Sequence, residues 1–586
     1  MCALPIFLIA AALLAGAGSS TAQPEKWRRT GNRLVLPAAE GRAELEWVTP
    51  AAFRFVRDWT ALAAEPGPAG EEAVDFEVSG AGSSLVVNSR LLRVHIRSEG
   101  LLLRIDDSGG RPLLEQLSGP RRVPGGASVE QAVQAKEMFF GLGPAHRSET
   151  LDLRGRAIST SRPFLISSAG YGLYFAQTPG AAFDLAKTDE GRLRIHLEGG
   201  RVEMYFYYGP GPKEILEQHL AVSRPPAGWQ RGELGVLPRT AVPRYAVSLE
   251  DSSPPSAGSI RLAMLGMLHA AFSAQPAPVF DLGRFEEAPQ NIWSQARQLA
   301  PFAPLVAGQG RDRAWLTAER RRLRPFLEAY FQEMVDRGFP IIRPLPMQYP
   351  KDPEAAQAAD QFLFGDELLV APVPGRAFRR MVYLPMGIWT DLRTNARHSG
   401  RRRIEVESAG EPLVFAKNGA LAPFLRPDDV IEAHYFPRSG GEFFVYEPEV
   451  GDYTQLHASP AGDLYRLEIE TKATRHYEWV VHHLGPVRAV VGDGAPLRQA
   501  ADRKQLADHT WFYDRAAQNL HIRVPASAGS DIIHYVAFHQ ARRHAPGQEA
   551  GSRGWDAPAI LKTGAGLEIG RALLDFACIP AASVLQ

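Results

Sequence analysis

Cysteine is nearly absent: Cys2 and Cys578 are the only two in 586 residues. A framework of several disulfides is excluded, so a chain of this size must hold itself together by its hydrophobic cores. Neither sign of charge is in excess, because Lys plus Arg and Asp plus Glu both number 65. No overall field therefore favours nucleic acid or an anionic membrane, and a neutral partner suits the balance. Long apolar runs are also missing, and past the first residues none approaches the roughly 18 needed to span a bilayer.

The one early run, from Ile6 to Gly16, is followed by Ser20-Thr21-Ala22 ahead of Gln23. That reads as a signal sequence over 1–22 and predicts export, to a secreted or periplasmic location. Catalytic motifs of the common kinds are lacking too. There is no His-Glu-x-x-His helix, nucleophile elbow or phosphate-cradling Gly loop. His482-His483 lies in a strand-like stretch that sends neighbouring side chains to opposite faces. The reading contains no metal ion and no cofactor.

What is present is an ordinary globular composition, 45% hydrophobic and 22% charged, long enough for three or four domains. From Trp27 to Tyr208, short apolar runs such as Ser84-Leu85-Val86-Val87 and Met204-Tyr205-Phe206-Tyr207 are separated by Gly, Pro, Asp and Ser, which predicts a β-sandwich. Glu214 to Val222 reads as a helix. The middle of the chain is mostly helical, with Leu323, Phe326, Leu327, Tyr330, Phe331 and Met334 at helical spacing. Strand candidates at Tyr245 to Leu249, Pro278 to Phe280 and Phe339 to Arg343 alternate with those helices, as in a parallel α/β unit. Strands return from Asp366 onward. The fold class is thus multidomain α/β plus all-β.

Several motifs carry a resemblance. Residues 360–373 read Asp-Gln-Phe-Leu-Phe-Gly-Asp-Glu-Leu-Leu-Val-Ala-Pro-Val, preceded by Arg343-Pro344-Leu345. With Glu137-Met138-Phe139-Phe140-Gly141-Leu142-Gly143, Gly170-Tyr171-Gly172-Leu173, Pro212-Lys213-Glu214, Tyr383-Leu384-Pro385 and Pro412 to Ala420, they resemble glycoside hydrolase family 31. The resemblance implies an amino-terminal β-sandwich over 23–228, a (β/α)8-barrel segment over 229–345, carboxy-terminal β domains over 346–430 and 431–543, and a tail over 544–586. It also implies an α-glycoside or oligosaccharide as ligand.

The barrel departs from the family pattern. Only about 115 residues separate Trp229 from Arg343, whereas a complete eight-stranded barrel takes at least about 200. At about 30 residues per strand and helix, three or four units fit. The expectation is a truncated barrel with open sheet edges, which the amino-terminal sandwich or a partner subunit would cover.

By the resemblance, Asp251 at the end of Arg244-Tyr245-Ala246-Val247-Ser248-Leu249-Glu250-Asp251 stands at the acid/base position, and Asp281-Leu282-Gly283-Arg284-Phe285 matches a segment that contacts sugar. Val236-Leu237-Pro238-Arg239-Thr240 resembles the strand preceding the acid, with Arg239 as a sugar contact. The family's nucleophile segment, of Trp-x-Asp-x-Asn-Glu type, has no counterpart, and the deletion is expected near Gln230 to Gly235. Where the family has an Arg and a His that touch sugar, Phe302-Ala303-Pro304 leads to Ala307 and Gln309.

Retaining glycosidases need two carboxyl groups, about 5 Å apart. Glu286 and Glu287 are the candidate substitutes for the missing one, or else solvated loop acids. The implied function is an exported, carbohydrate-active protein that is hydrolytically inactive or impaired. The alternative is an active α-glucosidase or α-xylosidase that hydrolyses O-glycosyl bonds with relocated carboxylates. Trp293, Trp315 and Trp389 offer rings for stacking on sugars, with core packing as the competing reading. The arginines at 311, 313, 320, 321, 322 and 324, interleaved with Glu319 and Glu328, read as a solvated helix face rather than an anion site.

Overall fold

The chain divides into a compact unit over Met1–Ala541 and a carboxy-terminal unit over Arg542–Gln586. The computed structural model describes residues 27–38, 40–60, 73–80, 83–144, 148–176, 178–223, 234–238, 247–248, 254–275, 278–308, 310, 313–373, 379–408, 410–462, 464–527 and 533–540. The expected signal at 1–22 and tail at 544–586, and the candidates Arg239 and Asp251, lie outside these residues.

Period-2 sequences build the amino-terminal part. In Arg192–Glu198, Leu193, Ile195 and Leu197 are buried while Arg192 and Glu198 are exposed. Strands of this kind form an eight-stranded and a nine-stranded sheet over 28–208. Their inner faces share one core that includes Phe53, Phe206, Leu103 and Ile195. Each such side chain contributes roughly 1.5–3 kcal/mol when fully buried. Helix α1 (Pro212–Leu220) begins with proline at its first position, where no N–H is needed. It lies so close to the sandwich that a Cβ on Gly172 would come 2.5 Å from Ile215 Cγ2, and only glycine permits that approach.

Four short parallel strands follow, in the order Val236–Leu237, Leu305–Ala307, Pro278–Asp281, Val247–Ser248. Helix α2 (Ala257–Phe272) starts at a reciprocal cap, in which Ser259 N donates to Ser256 Oγ and Ser256 N donates to Ser259 Oγ. The helix is apolar almost all round and accordingly buried. Its Phe272 stacks on Phe140 of the sandwich at 4.7 Å. Helices α3 (Gln290–Leu299), α4 (Arg313–Arg322) and α5 (Arg324–Arg337) complete the middle segment, and α5 ends on Gly338 at φ 77°.

One strand expectation changes, and two features were not expected either way. Leu305–Ala307 is a strand that the sequence did not announce. The Phe339 to Arg343 stretch does not join the parallel sheet: Ile342–Arg343 pairs antiparallel with Phe362–Phe364, because Pro344 stops it after two residues and a neighbouring antiparallel edge takes it up. Val236–Leu237 precedes Val247–Ser248 in sequence but is hydrogen-bonded to Leu305–Ala307.

Beyond α5 the chain is β. A six-stranded sheet runs from Ile342–Arg343 to Arg397–Ser399 beside a two-stranded one, and two further six-stranded sheets occupy 421–540. Among the described residues no helix is long and apolar enough to cross a membrane.

Candidate functional site

Parallel strands end on one side, and the loops that leave those carboxyl ends are where an α/β sheet of this type assembles chemistry. Asp281 closes the Pro278–Asp281 strand opposite Ala307, and it is half-buried. A single 3-10 turn over Leu282–Phe285 then reverses the chain, pinned by Phe285 stacking on Phe280 at 5.8 Å. The reversal brings Glu286 beside the last strand's exit, where a Cβ on Gly310 would lie 3.1 Å from Glu286 Oε2.

Arg313 spans the neighbouring gap, donating to Gly308 O at 3.3 Å and Val236 O at 3.4 Å. Asp281 at the end of its strand, Glu286 on the loop that follows it and Arg313 at the start of α4 thus lie at this end of the sheet. Glu287 faces solvent, and Ala307 offers only a buried methyl. Carboxylates and a guanidinium placed at strand ends are groups that can hydrogen-bond hydroxyls. Asp251 and Arg239, the other candidates, lie outside the described residues.

At the opposite end of the strands, the arginine-rich helix behaves differently from a solvated face. Arg320 is buried and donates to four carbonyls: Leu234 at 2.6 Å, Pro301 at 3.2 Å, Ala303 at 2.7 Å and Pro304 at 3.3 Å. Burial pulls its pKa down to about 9. One side chain thereby ties the lead-in of the first parallel strand to that of the last.

The most recognisable sequence motifs form a third cluster, removed from the strand ends. Lys213, of Pro212-Lys213-Glu214, donates to both oxygens of Asp366. Arg343, of Arg343-Pro344-Leu345, is fully buried, lies 2.5 Å from Asp366 Oδ1 and also pairs with Glu333. Tyr330 donates to Glu367. Burial alone would raise the Asp366 carboxyl, but Arg343 and Lys213 outweigh it and hold the group well below the usual carboxylate range. Burial and Asp366 push Glu367 up to about 7. Lys213, Arg343, Asp366 and Glu367 stand in the sequence motifs, Tyr330 only in a helical apolar pattern and Glu333 in neither, and no local pattern shows that they meet. Their only signal was the co-occurrence of Lys, Arg, Asp and Glu in otherwise apolar words.

Trp293 and Trp389 are fully buried core residues, whereas Trp315 is half-buried under Arg297 at 4.0 Å. His482 is hydrogen-bonded within the β domains to His434 and Asn395, both at 3.0 Å, and burial holds it well below the usual histidine range. Among the described residues no group of three or more His, Cys, Asp or Glu is arranged to hold a metal ion.

Residues 338–431 match the model of the Glycosyl hydrolase family 31 C-terminal domain. The chain is 27% identical over 240 residues to alpha-glucosidase 2 of Bacillus thermoamyloliquefaciens, covering 34% of this chain and 30% of that protein. It is 39% identical over 105 residues to a sulfoquinovosidase of Agrobacterium fabrum, covering 17% and 16%. The matched stretches thus span less than a third of these relatives. Among solved structures, the Flavobacterium johnsoniae GH31 dextranase complexed with glucose superposes with a TM-score of 0.73 at 15% identity, over 88% of this chain and 99% of that one. A variant of the same dextranase, complexed with isomaltotriose, matches equally. The Xanthomonas citri GH31 alpha-xylosidase gives 0.62 at 13% identity, over 78% and 96%. At such identities the likeness is one of fold.

Proposed function

We propose that this chain, a member of glycoside hydrolase family 31, is an exported carbohydrate-binding relative of the α-glycosidases in which hydrolysis is lost or impaired. The observation that carries the reading is the order of the parallel sheet. In a closed barrel of sequential strands, the first strand is hydrogen-bonded to both the second and the last. Here Val236–Leu237 pairs with the last parallel strand, and Val247–Ser248, next in sequence, pairs on the far side with Pro278–Asp281.

That order supports a barrel that keeps its first strand and its final three. It moves the omitted segment from near Gln230 to Gly235 to the short interval between Leu237 and Val247. A nucleophile on the omitted strands would be lost with them, leaving Asp251 as a general acid without its partner carboxylate. In this reading Asp281, Asp251 and Arg239 remain as sugar contacts, and the apolar run at 6–16 with Ser20-Thr21-Ala22 directs export.

Calorimetry tests it. Wild-type protein binds an α-glucoside or α-xyloside weakly, without releasing sugar, and Asp281→Ala weakens that binding. Release of sugar at a rate typical of glycosidases, or indifference of binding to Asp281→Ala, overturns the reading. A second reading, hydrolysis with relocated carboxylates, is favoured only by the placement of Glu286 on the loop that follows Asp281.

A further inference from the structure

A cleft stands apart from the strand-end site. It measures about 440 Å³ and opens between α3, α4 and the loops of the first carboxy-terminal sheet. None of Asp281, Glu286 and Arg313 lines it. Helical spacing builds two of its walls. Ser294, Arg297 and Gln298 stand on one face of α3, and Trp315, Glu319 and Arg322 on one face of α4. The third wall brings Arg393 and Glu411.

Two aromatic rings in this cleft carry flat guanidinium groups, Arg297 at 4.0 Å from the Trp315 centroid and Arg322 at 4.6 Å from that of Phe424. Such stacking fixes an arginine at little further entropic cost and holds its fork of donors in place. Glu319 stays 3.6 Å from Arg322.

The mixture of charges selects the ligand. An anion would meet Glu319 and Glu411, and a cation would meet three arginines. A neutral polyhydroxyl compound uses both sets, since each hydroxyl donates and accepts, while the C–H face of a sugar ring packs against aromatic and aliphatic walls. The volume falls in the range of about 300–1,000 Å³ typical of small-ligand pockets.

We propose that this cleft is a second saccharide site, taking a short neutral oligosaccharide and separate from the strand-end site. The choice of an α-glucan as probe rests on the function proposed above. Of the three tryptophans offered by the sequence, Trp315 is the one that is only half-buried and lines this cleft, where its ring lies under Arg297 and holds that arginine's donors in place.

The test is calorimetric titration of the full chain with isomaltotriose. Trp315→Ala and, as a surface variant less able to disturb folding, Arg393→Ala are each expected to weaken one binding event about ten-fold. That event persists in Asp281→Ala. Unchanged affinity in both cleft variants overturns the proposal, as does an absence of binding by the wild type. If Asp281→Ala abolishes all binding while the cleft variants retain it, the cleft proposal falls and the strand-end reading stands. Tighter binding of an oligogalacturonate than of isomaltotriose overturns the neutral assignment.

Discussion

Lys213 Nζ lies 2.8 Å from Asp366 Oδ1 and 2.9 Å from Oδ2, across 153 residues of chain. The contact joins α1, which leaves the amino-terminal sandwich, to the turn between two strands of the first carboxy-terminal sheet. Arg343 and Glu333 extend it to α5. Three parts of the molecule thus share one ionic knot. The words by which the family resemblance is recognised mark this knot, so the resemblance speaks for the frame of the molecule more than for its chemistry.

Removing Asp366 should therefore destabilise the fold rather than alter sugar binding. Truncating one partner of a fully buried pair costs about 3–5 kcal/mol because the other charge stays buried and unpaired. Arg343 is fully buried, but the Asp366 side chain keeps 35% exposure, so a smaller loss of about 2–3 kcal/mol is expected for Asp366→Ala. Urea unfolding measures it. A midpoint equal to that of the wild type would show that the knot contributes nothing.

Glu367 gives the same cluster a pH dependence. Burial and the neighbouring Asp366 raise its carboxyl from 4.5 to about 7, while the hydroxyl of Tyr330 and the charge of Arg343 oppose the rise only in part. The fold therefore binds this proton more tightly than the unfolded chain does. Its contribution is complete below the unfolded value and is lost as pH rises through about 7. Asp366 runs the other way: its contribution is present above 3.8 and lost as pH falls below it. Unfolding midpoints at about pH 5 and about pH 8 should show Glu367→Gln, which mimics the protonated acid, losing less stability over that interval than the wild type. Equal losses would remove Glu367 from the account.

Gly365 precedes the pair at φ 64°, in the left-handed region. A Cβ there would lie 2.0 Å from the Tyr330 ring. Gly365→Ala combines backbone strain with overpacking, and a loss of about 3–4 kcal/mol is expected. Combining it with Tyr330→Ala should give a smaller total loss than the two single losses added together, since the clash is then gone while the backbone strain persists. Strict additivity would mean that the ring does not confine this glycine.

The sequence revealed strands where period-2 alternation was long, as in Arg192–Glu198, and helices where apolar residues recurred at helical spacing, as in α5. It did not reveal Leu305–Ala307, because three apolar residues after a proline carry no period. Nor could it choose a partner for Val236–Leu237, since parallel neighbours are set by the closure of the whole sheet. Arg320 looked like one of six solvated arginines. Its burial depends on four carbonyls from segments up to 86 residues away, which no local pattern encodes. Asp281 was legible only through the family resemblance of Asp281-Leu282-Gly283-Arg284-Phe285; the placement of Arg313 at the same strand ends was not.

Glycoside hydrolysis needs a nucleophile or an activated water opposite the acid, in addition to the acid itself. At the described strand ends the carboxylates are Asp281, on its strand, and Glu286, on the loop beside Gly310; Glu287 points to solvent. Loss of one essential group commonly removes most of an enzyme's rate enhancement. Hydrolysis of an aryl α-glucoside by the purified protein is therefore expected to stay at the background rate, and to be the same in Asp251→Asn and Glu286→Gln. A contaminating host enzyme would be blind to both substitutions. Robust hydrolysis by the wild type that disappears in Glu286→Gln would identify Glu286 as a relocated carboxylate and replace the inactive reading with the active one.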